Sequence, residues 1–87
     1  EVTEAAQICL SNLIQINTTN PPADDDLGEI AAVRFFETIF RRMGFPTQRA
    51  PVSRNTDPRR RSVVATWRGT VEQQTSLILL NHTDTVP

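Results

Sequence analysis

A single histidine, His82, stands in this 87-residue chain, and Asp84 follows it two positions on, in His-Thr-Asp-Thr-Val-Pro. A neutral imidazole is a good zinc ligand. A carboxylate that accepts a hydrogen bond from the other ring nitrogen fixes the tautomer and raises the ligand's basicity. Along an extended chain, residues two apart project to the same side, so the two side chains can cooperate. The pair lies just beyond an apolar run at residues 76–80, Ser-Leu-Ile-Leu-Leu, and in open α/β sheets ligands gather outside the carboxyl ends of strands. His-x-Asp alone leaves two readings open: a metal ligand with its orienting carboxylate, or a partly buried, hydrogen-bonded histidine.

The remaining reactive side chains are few. A catalytic zinc wants about three protein ligands and an open position for water, and one histidine with one cysteine does not supply them. The lone Cys9 excludes an internal disulfide and a cysteine-rich zinc site. It reads as a small buried hydrophobe on a helix, and it favours a reducing, cytoplasmic setting. All nine basic residues are arginine, which removes lysine chemistry such as Schiff bases and phosphate-loop lysines. Asp24, Asp25 and Asp26 read as a helix cap and dipole partner rather than a metal cluster. Arg59, Arg60 and Arg61, with Arg54, read as a solvated loop rather than a nucleic-acid surface, since the net charge is -1 and no aromatics interleave. Trp67 reads as a core or sheet-face residue, no second aromatic standing nearby in the sequence. No apolar run approaches the roughly 18 residues of a membrane span, and no secretory signal opens the chain.

The elements that must hold His82 follow from periodicity. Residues 2–16 carry Val2, Ala5, Ala6, Cys9, Leu13 and Ile16 at helical spacing. Asn-Thr-Thr-Asn and Pro21-Pro22 end that helix. Asp26 and Glu29 have the spacing of a capping box. From there Leu27, Ile30, Val33, Phe36, Phe40 and Met43 form a three-and-four repeat that runs into Arg41, Arg42 and a closing Gly44. Residues 45–52 predict a strand placed at an edge by Pro46 and Pro51, and residues 62–67 predict a second one, rich in β-branched side chains. A turn follows at 68–70 and leads toward Glu72-Gln73-Gln74. The run at 76–80 predicts a central strand covered on both faces. The expected class is α/β, with helices packed on a mixed β-sheet in a single domain.

The stretch LLNHTDTVP, residues 79–87, resembles the metal-binding signature of the zinc-dependent family of aminoacylase, acetylornithine deacetylase, succinyl-diaminopimelate desuccinylase and carboxypeptidase G. The opening LIQINTTNPP at 13–22, the helix closing in Met43-Gly44-Phe45, and the strand at 62–67 resemble successive landmarks of that family's N-terminal catalytic region. The likeness thus covers nearly the whole chain. It implies that His82 is the first zinc ligand. It implies that Asp84 serves the catalytic centre as the carboxylate that orients this imidazole without binding metal. The family's bridging aspartate, glutamate general base with its neighbouring ligand, further carboxylate and distant histidine would lie beyond Pro87. Asn81 departs from the small residue, often glycine, that commonly precedes the histidine.

On this resemblance residues 1–87 are the N-terminal portion of a zinc-exopeptidase-like catalytic domain. Glu1 at the start and Pro87 directly after the signature read as truncation at both ends. The implied reaction is hydrolysis of an amide bond in an N-acyl amino acid or small peptide by metal-activated water, with Zn2+, two per complete site. The fragment alone is expected to be inactive, and its parent to be a possible homodimer with neither nucleic-acid nor membrane partners. The alternative is a free-standing α/β binding or regulatory module with a structural His82 and an arginine loop that contacts an acidic partner.

Overall fold

The computed structural model describes residues 1–51, 57–72 and 75–86. Two helices come first, α1 (Val2–Ile14) and α2 (Glu29–Arg42), followed by two strands, β1 (Thr47–Pro51) and β2 (Arg61–Ala65). The strands pair antiparallel, Thr47 opposite Ala65 and Pro51 opposite Arg61, and the two-stranded sheet packs on α2. The α/β class therefore holds. The sheet expected to be mixed is antiparallel among the described residues. Val52, Arg54, Gln73, Gln74 and Pro87 lie outside those residues.

Helix α2 follows its repeat. Ile30, Ala32 and Val33 are buried and make the core, Ile30 and Val33 each contributing about 1.5–3 kcal/mol by burial. Phe36 and Phe40 are half-buried and stack at 6.2 Å. The two ends of the expected stripe, Leu27 and Met43, are exposed and lie outside the helix. Gly44 takes the positive φ, 82°, that closes the helix. The capping box does not form. Gly28 is the N-cap at φ 63°, with no side-chain cap. Asp26 instead accepts from Asn17 Nδ2 at 3.2 Å. Glu29 is the first helical residue, and its carboxylate accepts from Arg60 Nε at 3.0 Å.

Strand β2 alternates as a half-buried strand should, with Arg61, Val63 and Ala65 partly covered and Ser62 and Val64 exposed. Strand β1 is tied to the helix by Arg49. Its Nε and Nη2 donate to the two carboxylate oxygens of Glu37 at 2.9 and 2.7 Å. Glu37 is only 7% exposed, and the bidentate fork holds its carboxyl below the ordinary value of 4.5.

Three expectations need correction. The run at 76–80 joins no strand pair among the described residues, and Leu77, Ile78, Leu79 and Leu80 are 81–90% exposed. An apolar run of this kind records a need for burial, and the described sheet and helices leave it uncovered. Helix α1 buries no residue, and Cys9 is half-exposed rather than buried, since among the described residues no strand packs closely on it. Trp67 is 82% exposed, yet it does have an aromatic neighbour: Phe45 stacks on it at 5.4 Å. The antiparallel register carries residue 45 opposite residue 67, a proximity that the linear sequence hides.

Candidate functional site

His82 and Asp84 are positioned by a second chain segment that runs beside them. Past α1, Asn17 folds its Oδ1 back to accept from the Thr19 backbone N–H at 3.0 Å, shaping residues 17–20 into a tight path. That path lies parallel to residues 82–85. Thr85 N donates to Thr18 O at 3.1 Å and Asn20 N donates to Thr85 O at 2.8 Å, forming the Thr19–Thr85 bridge. The buried Thr18 hydroxyl adds a bond to the Thr83 carbonyl at 2.6 Å. The Asn-Thr-Thr-Asn loop therefore borders a cleft of about 400 Å³, with Leu13, Ile14 and Ile16 on one wall and His82 to Thr85 on the other.

Both members of the expected pair come together. His82 Nδ1 lies 3.2 Å from the backbone oxygen of Asp84 and 3.5 Å from its Oδ1. The closer acceptor is the carbonyl rather than the carboxylate. A proton on Nδ1 would be shared with the Asp84 carbonyl and would leave the lone pair on Nε2. The His82 side chain is 88% exposed, so Nε2 opens to solvent. Among the described residues no three His, Cys, Asp or Glu side chains gather as a metal-binding group. His82 and Asp84 stand side by side, which is fewer donors than a zinc site requires.

Nothing in the linear order of residues places Arg60 here. It reaches from the end of the 57–60 turn to both Glu29 and Asp84, its Nη2 3.7 Å from Asp84 Oδ2. Its guanidinium also fixes the Asn20 amide. With Oδ1 turned toward it, Asn20 accepts from Nη1 and Nη2 at 3.0 Å each, whereas the opposite orientation sets an NH2 group against two donors and offers Asp84 Oδ2 one bond at 3.4 Å. Arg59 and Arg61 are engaged within the chain as well. Arg59 clamps Asp57, holding that carboxyl below its ordinary range, and donates to the Ala23 carbonyl at 2.8 Å. Arg61 donates to the carbonyls of Asp57 and Arg60. The loop expected to be solvated thus braces the start of α2.

Compared with family models, curated proteins and solved structures, the chain matches none of them. No helix among the described residues is long and apolar enough to cross a membrane.

Proposed function

We propose that this chain is the N-terminal part of the catalytic domain of a zinc-dependent amidohydrolase or exopeptidase, acting on N-acyl amino acids or small peptides. The observation that carries the reading is the state of His82: Nδ1 faces two oxygens of Asp84 while Nε2 is open. An exposed imidazole held on one nitrogen is prepared to bind a cation, and a side chain 88% exposed has little structural work to do. The alternative of a binding module with a structural His82 lacks a comparable support, and Arg59, Arg60 and Arg61 of its arginine loop already bond to the chain's own carboxylates and carbonyls.

Zinc, when bound, supplies Lewis-acid chemistry that makes water nucleophilic at neutral pH and polarises the amide carbonyl. His82 would hold one coordination position, Asp84 would steady the imidazole, and Leu13, Ile14 and Ile16 line the cleft beside the pair with apolar surface. Further ligands and the general base come from outside the described residues. The exposed run at 76–80 is consistent with a larger mixed sheet in the complete domain, and the lone Cys9 with a cytoplasmic setting. The test is expression from the complete reading frame, metal analysis, and hydrolysis of a panel of N-acyl amino acids and dipeptides. His82→Ala should abolish zinc-dependent hydrolysis. Wild-type turnover in that variant overturns the reading.

A further inference from the structure

We propose that residues 20–28, in the connection between the two helices, form a strap that Arg59 and Arg60 hold closed and that opens as one unit; the inference stands apart from the zinc-hydrolase reading. The strap forms neither helix nor strand. Pro21 and Pro22 have no N–H to donate, and the strap's own backbone supplies a turn bond from Asp26 N to Ala23 O at 3.0 Å. Asn17 adds a side-chain bond to the Asp26 carboxylate at 3.2 Å. The rest of its hold comes from two consecutive arginines of the 57–60 turn. Arg60 grips both ends. Its Nη1 and Nη2 donate to the Asn20 side-chain oxygen at 3.0 Å each, and its Nε donates to Glu29, the residue that follows the strap, at 3.0 Å. Arg59 grips the middle, its Nη1 donating to the carbonyls of Ala23 at 2.8 Å and Asp26 at 3.4 Å.

Both guanidiniums are held from behind. Asp57 accepts from Arg59 Nε at 3.1 Å and from Nη2 at 2.8 Å, which directs Nη1 at the strap carbonyls. Glu29, its side chain 10% exposed at the start of α2, ties Arg60 to the helix. Bonds from a charged donor are stronger than neutral ones, and one planar fork serves two acceptors at once. Because the two arginines are adjacent on one turn, the middle of the strap and its Asn20 end share a single support. Opening reaches the cleft: the Asn20 amide donates to the Thr85 carbonyl at 2.8 Å, and Thr18 and Thr19 line the cleft just before the strap begins. Segments with few contacts of their own open locally at lower free energy than the core. The strap is thus a conformational device that loosens one cleft wall while α2 stays folded.

The test uses the protein expressed from its complete reading frame, as wild type, Arg59→Met, Arg60→Met and Asn20→Ala. Amide exchange is followed at Asn20, Asp26 and Val33, and an endoprotease that cuts before aspartate probes Asp24, Asp25 and Asp26. Arg59→Met deletes contacts in the middle of the strap, yet exchange at the Asn20 amide should rise about tenfold. Arg60→Met deletes contacts at the ends, yet exchange at the Asp26 amide should rise by a similar factor. Both variants should be cut faster within the strap, while exchange at Val33, buried in α2, stays as in wild type. Should an arginine variant unfold as a whole, seen as faster exchange at Val33, Asn20→Ala carries the test. It removes the strap's acceptor and leaves the bond between Arg60 and Glu29 in place, and Asp26 should still exchange faster. Unchanged exchange and cleavage in a folded variant overturn the proposal. Loosening confined to the contacts that each substitution deletes also overturns it, since the bonds would then be separate and the strap not a unit.

Discussion

The Thr18 hydroxyl donates to the Thr83 carbonyl at 2.6 Å across 65 positions of sequence, and Thr18 is 5% exposed. This bond and the two backbone bonds around Thr85 lock the loop after α1 to the segment that bears His82. Thr18→Val keeps the shape and deletes the donor, so it should cost about 1 kcal/mol. Hydrogen exchange at the Thr85 amide should accelerate in that variant, and Thr18→Ser should behave as wild type. Unaltered protection at Thr85 would count against the lock.

Gly28 and Gly44 both have positive φ, 63° and 82°, but they sit in different surroundings. A Cβ at Gly28 would meet Arg59 Cβ and Pro22 Cγ at 3.3 Å, whereas one at Gly44 meets nothing within 4 Å. Gly44→Ala should therefore cost backbone strain alone, on the order of 1 kcal/mol. Gly28→Ala adds crowding against the arginine brace and should cost more, roughly 2–3 kcal/mol. Urea denaturation of the two variants ranks them, and equal midpoints would refute the crowding argument.

Glu37 couples stability to acid. Hydrogen bonding to Arg49, set against some desolvation, lowers its carboxyl below 4.5 in the folded chain. The stabilisation is complete above the unfolded value of 4.5 and is lost as pH falls through the lower folded value. Glu37→Gln should be less stable than wild type at neutral pH and should show a shallower loss of stability below pH 4.5. Denaturant midpoints measured from neutral pH downward check this, and parallel acid limbs in the two proteins would assign the effect to other carboxylates.

The exposed extended run at 76–80 presents four large aliphatic side chains, the least covered of them Leu80 at 90%. Unpaired, apolar, extended chain is a template for association. The 87-residue chain expressed alone should self-associate with rising concentration, and Ile78→Lys should shift sedimentation toward monomer without changing helix content. A monodisperse wild-type chain at high concentration would show that the run is not adhesive.

Much of the secondary structure was legible beforehand. The three-and-four repeat located α2 and its buried Ile30 and Val33, β-branched residues located β2, and Gly44 marked the helix end. His82 and Asp84 were also legible as a pair, because a spacing of two in extended chain puts both on one side. These are short-range matters, decided within a turn or a pleat. The misreadings share the opposite origin. Asp26 and Glu29 had the spacing of a capping box, but Glu29 was claimed by Arg60 from 31 positions away. Trp67 was paired with Phe45 by strand register.

The amino-acid order by itself thus located both helices and the two paired strands, though not the fate of the run at 76–80, and it set His82 and Asp84 beside one another. Only the tertiary structure decided that Thr18 locks their segment and that Arg60 bonds to Glu29. The physical reason is range. Periodicity and capping are set by neighbours a few residues apart, whereas a hydroxyl or guanidinium selects its acceptor among groups that only folding brings within about 3 Å.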